Sequence, residues 1–183
     1  LPSYPEPVAG WLNIGVLHTA LEGNAEHAKY APCSVAELQA KGYQYWALGH
    51  VHEHWMQRGD VTIAYSGNLQ GRHIRELGAR GALLVTAEDG EITEVDRLEV
   101  DVLRWHALEV DISTVGDRRG AIRAAGLGLE RTLDSTPSHL PLAVRVLFKG
   151  RSAAHAELVA DEGQLRQEVI AQAVAVDADR LWI

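Results

Sequence analysis

Three histidines in this chain have the type and spacing for metal chemistry. His50 and His52 stand one residue apart in Gly49-His50-Val51-His52, and His18 closes an earlier apolar run. Imidazole is the commonest protein ligand for zinc, manganese and iron-type ions. In an extended chain alternate side chains point the same way, so the spacing predicts that His50 and His52 share a face. His54 continues the alternation and reads as a rim or surface residue.

Strands must present these groups. Tyr45-Trp46-Ala47-Leu48 is short, apolar and bounded by polar residues, which predicts a buried strand ending just before His50. Trp11 to Leu17 reads as another strand, ending at His18. Open α/β sheets bind ligands just past the carboxyl ends of their strands. Between the two strands lie a polar loop, Glu22 to Cys33, with His27 and Pro32, and a capping box, Ser34-Val35-Ala36-Glu37. The box predicts a short helix from Ser34 to about Lys41, ended by Gly42. Cys33 reads as a small buried residue.

Val61 to Tyr65 reads as a strand, followed by the glycine-punctuated loop Ser66-Gly67-Asn68-Leu69-Gln70-Gly71. Ala82 to Ala87 and Glu91 to Leu98 flank Glu88-Asp89-Gly90, a hairpin signal. Asn68, Arg72 and His73 are candidate phosphate or DNA contacts, because glycine admits close backbone approach and arginine suits phosphate oxygens. His73 is also a candidate catalytic residue. The competing reading is a connecting loop with solvated charges, which is favoured for Arg75 and Arg80. Together Arg72, Arg75 and Arg80 form the only local basic cluster of the first half.

The texture changes near Arg104. Leu108, Val110 and Ile112 alternate with acidic residues, as in a strand buried on one face. Gly116 to Leu133 reads as a helix weakened by Gly126 and Gly128. Pro137 to Pro141 is a linker, and Leu142 to Phe148 alternates as a strand. Glu162 to Val176 puts Leu165, Val169, Ile170, Ala173 and Val174 on one helical face. Arg145 and Lys149 fall on a solvated side, and His106, His139 and His155 have no assigned role. The expected organisation is residues 1–103 and a small α+β domain over residues 104–183.

The chain of 183 residues has a net charge of -8, which disfavours binding DNA or an anionic membrane through bulk electrostatics. No run reaches bilayer-spanning length and no signal peptide is evident. A single cysteine fits a reducing cytoplasm. The chain opens on Leu1, its only methionine is Met56, and it stops in the apolar Leu181-Trp182-Ile183. These ends predict an internal piece of a longer protein.

Ile14-Gly15-Val16-Leu17-His18-Thr19, Tyr45-Trp46-Ala47-Leu48-Gly49-His50-Val51-His52 and Tyr65-Ser66-Gly67-Asn68 together resemble the second half of a calcineurin-like metallophosphoesterase. Tyr30-Ala31-Pro32-Cys33-Ser34 and Gly67-Asn68-Leu69-Gln70-Gly71-Arg72-His73-Ile74 narrow the resemblance to the SbcD-type DNA repair exonucleases and their YhaO branch. Gln44 departs from the acidic residue expected there. The resemblance implies an α/β fold: the second half of a β-sandwich flanked by helices, then a DNA-selecting capping domain. It also implies a two-metal phosphodiesterase, with two divalent ions, Mn by family expectation. His18 and His50 would bind one ion and His52 the other. DNA and an SbcC-like ATPase are the implied partners.

The family's Asp-x-His, Gly-Asp-x-x-Asp and Gly-Asn-His-Asp/Glu motifs do not occur here. The bridging carboxylate, the asparagine ligand and the catalytic histidine are then missing, and three imidazoles alone offset little of the repulsion between two cations. This piece is therefore expected to be inactive alone, and its uncovered half-sandwich to self-associate or to need its missing amino-terminal half. Two other classes stay open: a phosphoesterase acting on a small phosphodiester or nucleotide, and a non-catalytic DNA-binding or interaction module.

Overall fold

The computed structural model describes residues 1, 3–21 and 33–183. Among these the chain is a mixed α/β protein with several sheets and four helices, as a partial metallophosphoesterase fold plus a small capping domain would have. It divides into two compact units, residues 1–70 with 80–101, and residues 71–79 with 102–183. Among the described residues no helix is long and apolar enough to cross a membrane.

The first unit is built on a four-stranded sheet of order β1-β2-β4-β3, comprising β1 (Ile14–His18), β2 (Tyr45–Gly49), β3 (Trp55–Gln57) and β4 (Thr62–Tyr65). β1, β2 and β4 are parallel, and β3 pairs antiparallel with β4. β3 is three residues long, too short for its alternation to register in the sequence. Helix α1 (Val35–Ala40) forms as its capping box demands: Ser34 Oγ accepts from Glu37 N, and Glu37 accepts from Ser34 N. The Ser34 backbone N–H, and after it the Ser34 hydroxyl, donate to the Glu37 carboxylate and hold its pKa below the ordinary value. Gly42 takes φ +79 just after the helix.

Trp46 anchors one face of the sheet. It is fully buried, donates from Nε1 to Leu38 O at 3.0 Å, and stacks on Tyr43 with centroids 5.0 Å apart. Leu38, Leu48, Ile63 and Tyr65 complete that layer. Burying an aliphatic side chain of this size contributes about 1.5–3 kcal/mol. The other face, through Tyr45, Ala47 and Ala64, packs on the hairpin of β5 (Gly81–Glu88) and β6 (Glu91–Glu99). Asp89 and Gly90 both have positive φ, +51 and +85, as a two-residue primed turn requires. Gln44 Oε1 accepts from Asn13 N at 2.8 Å, tying the start of β1 to β2, a task that needs only an acceptor.

The polar loop with His27 lies outside the described residues apart from Cys33. Cys33 is buried, with Sγ 3.4 Å from Thr19 Oγ1.

In the second unit, β7 (Arg104–Asp111), β8 (Leu142–Lys149) and β9 (Leu181–Trp182) form a parallel sheet in that order. Helix α2 (Arg118–Asp134) connects β7 to β8, and α3 (His155–Ala160) with α4 (Glu162–Asp177) connects β8 to β9. Gly126 and Gly128 are close-packing positions in α2. A Cβ at Gly126 would lie 2.6 Å from Gln172 Oε1 of α4, and one at Gly128 would lie 3.0 Å from Leu108 Cδ2 of β7.

One expectation fails in this unit. Val174 is 54% exposed, so the buried stripe of α4 is narrower than its apolar pattern. Lys149 lies on the solvated side as expected, and there its Nζ donates to Glu109 Oε1 of the neighbouring strand. Segment 71–79 joins this unit through Trp105, whose Nε1 donates to Gly71 O at 2.9 Å and whose carbonyl accepts from Gly78 N at 3.0 Å.

Candidate functional site

β1 and β2 run parallel, with His18 in register beside Gly49. His18 is the last residue of β1 and His50 the first after β2, so both imidazoles leave the sheet at its carboxyl end. His18 Nε2 lies 3.2 Å from His50 Nδ1, and the rings meet edge to face with centroids 5.1 Å apart. Gly49 leaves room for this approach: a Cβ there would lie 3.1 Å from His18 Nδ1. His18 is exposed and His50 half-buried.

His50 has φ +99. A non-glycine residue in sparsely populated backbone space costs about 1–3 kcal/mol, and such residues cluster at functional sites. The face-sharing expectation rested on His50 lying in extended chain. The strand ends at Gly49 and His50 leaves extended backbone space, so strand alternation no longer argues that His50 and His52 share a face.

His52 is exposed and held through its backbone. Its carbonyl accepts from Asn68 N at 3.1 Å and from Arg80 Nη1 at 2.9 Å. Gly67, at φ +78, makes that contact possible, because a Cβ there would lie 2.7 Å from His52 O. Arg80 Nη1 also donates to Asn68 Oδ1 at 3.3 Å, and Nη2 donates to Glu53 Oε1 at 2.6 Å. Arg80 is only 3% exposed, which overturns its reading as a solvated loop charge. In the sequence it is simply an arginine at the edge of an apolar strand, with nothing to show that its acceptors lie on two other loops.

The remaining strand ends are stitched together. Tyr65 Oη donates to Thr19 O at 2.8 Å and accepts from Leu21 N at 3.2 Å, and burial pushes the Tyr65 phenol pKa up. His54 Nδ1 donates to Tyr65 O at 3.1 Å, an anchoring role for that histidine.

Arg72 and His73 lie on segment 71–79 of the second unit. Arg72 binds Glu76 from its backbone N at 2.8 Å and from Nη2 at 3.0 Å. Glu76 is 5% exposed, a buried carboxylate that the sequence reading did not single out. His73 Nδ1 accepts from Arg75 N at 3.2 Å, and its Nε2 lies 3.8 Å from Glu76 Oε1. The Arg72 guanidinium is therefore already engaged with a carboxylate.

The nitrogens of His18 and His50 are separated as two ligands of one ion would be, given metal–nitrogen bonds of about 2.0–2.1 Å. They fit part of a ligand set. Among the described residues no group of three or more His, Cys, Asp or Glu side chains is arranged to hold an ion.

Residues 105–183 match the family model of the middle domain of metallophosphoesterase YhaO. The chain is also 37% identical over 102 residues to the uncharacterized metallophosphoesterase YhaO of Bacillus subtilis (strain 168), a match covering 55% of this chain and 25% of that protein. The chain thus spans about a quarter of the length of the curated relative it matches. Both similarities support a metallophosphoesterase family.

Proposed function

We propose that this chain supplies part of a metal-dependent DNA repair exonuclease of the SbcD and YhaO type, which hydrolyses DNA phosphodiester bonds at a site of two divalent ions, Mn²⁺ foremost. The observation that carries this reading is the 3.2 Å approach of His18 to a conformationally strained His50 at the ends of adjacent parallel strands.

In this reading His18 and His50 hold one ion and His52 the other. Bound ions would polarise the phosphoryl oxygen and lower the pKa of an attacking water. The chain's own part is positional. The parallel register of β1 and β2 sets the distance between His18 and His50, while Asn68 and Arg80 fix the peptide that carries His52. Asn68, Arg72 and His73 are the proposed contacts to DNA phosphates, and His73 a candidate catalytic group. Residues 104–183 are the proposed DNA-selecting cap, and an SbcC-like ATPase the proposed partner in the cytoplasm. The rest of the ligand set would come from elsewhere in a longer polypeptide, and this chain alone is inactive.

The test is Mn²⁺-dependent degradation of linear duplex DNA by the full-length protein, with and without His50→Ala. Degradation that is lost in the variant supports the proposal. Hydrolysis of bis-p-nitrophenyl phosphate with DNA ends left intact would reassign the substrate to a small phosphodiester. Biological function that survives His52→Ala would reassign the chain to a non-catalytic module.

A further inference from the structure

Arg80 is a buried cation that organises the loop carrying His52. Its guanidinium reaches His52 O at 2.9 Å, Asn68 Oδ1 at 3.3 Å and Glu53 Oε1 at 2.6 Å. Asn68 N reaches the same His52 carbonyl at 3.1 Å. One side chain therefore joins the peptide after His52, the Gly67-Asn68 turn and the start of β5.

Burying a guanidinium is costly unless it is well hydrogen-bonded. Where a fold needs only volume, an apolar residue of similar size is often as stabilising. What arginine adds is a rigid planar fork with several donors at fixed angles. Here the fork acts on the 52–53 peptide, and that peptide sets the direction in which the His52 imidazole leaves the chain. Outer partners of metal ligands act in this way, and losing one typically costs about 10–100-fold in metal affinity.

We propose that Arg80 is a positioning residue for metal coordination by His52, an inference that rests on the reading of His52 as a ligand given above. Arg80 is not itself a proposed ligand. It acts through the backbone of His52, with Asn68 as its second contact and Glu53 as its charge partner.

The experiment is a Mn²⁺ titration of the full-length protein followed by electron paramagnetic resonance of free Mn²⁺. Circular dichroism confirms that each variant is folded at the temperature used. Arg80→Met is expected to weaken one Mn²⁺ site by about 10–100-fold and to spare the other. Arg80→Lys should recover part of the loss, since it keeps the charge but cannot reach all three acceptors at once.

A lower melting temperature with wild-type Mn²⁺ affinity in folded Arg80→Met would make Arg80 purely structural and overturn the proposal. If Arg80→Met does not fold, Asn68→Ala and Glu53→Ala each remove one acceptor. A several-fold loss at one site in either supports the proposal, and unchanged affinity in both overturns it. Wild-type protein that binds no Mn²⁺ sinks the metal reading along with it, whereas normal wild-type binding with unaffected variants sinks the Arg80 role alone.

Discussion

His18 Nε2 approaches His50 Nδ1 to 3.2 Å across two adjacent parallel strands. If the pair shares an ion, either His18→Ala or His50→Ala in the full-length protein removes a ligand of the same site. Both should weaken the same Mn²⁺ site by tenfold or more, on the scale at which even outer-partner losses act. Since His18 is exposed and His50 half-buried, folding stability should move little, by about 0.5 kcal/mol for His18→Ala. Isothermal titration with Mn²⁺ decides. Two variants that weaken different sites would show that the histidines do not share an ion.

His50 holds φ +99 where glycine would rest without strain. His50→Gly should therefore be more stable than His50→Ala by about 1 kcal/mol, although both lack the imidazole ligand. Urea denaturation of the two variants measures the difference directly. Equal midpoints would mean that the backbone at residue 50 relaxes and stores no strain.

Gly67 is required twice over, by its φ of +78 and by the 2.7 Å that a Cβ would leave to His52 O. Gly67→Ala should cost about 1–3 kcal/mol and displace the His52 peptide. Loss of Mn²⁺ affinity should accompany the loss of stability. A stable variant with normal affinity would show that the turn can move without consequence for His52.

At Gly15 an added Cβ would run into the Trp46 ring, and Trp46 is fully buried. Overpacking of this kind costs about 1–3 kcal/mol. Gly15→Ala should lower the thermal midpoint and quench or shift tryptophan emission, because the indole must move from its place against Tyr43 and Leu38. An unchanged midpoint would mean that β1 gives way instead.

His106 lies beside Val144 in the parallel register of β7 and β8. Burial holds its imidazole below the ordinary value of 6.5. The folded state thus favours the neutral ring, and the unfolded chain binds the proton more readily. This contribution to stability is complete above the unfolded value and is lost as pH falls through the lower folded value. Denaturation at pH 7.5 and 5.5 should show a smaller acid-induced loss in His106→Leu than in the parent chain. Equal losses in the two would refute the assignment.

The local chemistry was legible from residues alone. Ser34 and Glu37 announced a helix start, Asp89-Gly90 a primed turn, and the apolar run before Gly49 a buried strand. In each case the determinant is a side chain acting on its own backbone or a period of two along the chain. The histidines at strand ends were legible for the same reason, as was the α/β class. The sequence could not show that His50 leaves the strand in left-handed space, because the strand residues before it carry no mark of that change. Nor could it show that Gly126 and Gly128 are contact points rather than helix weaknesses.

Only the tertiary structure brought His18 within hydrogen-bond distance of His50, 32 residues away in sequence. Only it buried Arg80 against acceptors on two loops, and Glu76 beneath Arg72. Charge and burial are properties of the surroundings that a residue acquires, and a charged residue in a loop looks the same in sequence whether it ends in water or in a braced interior.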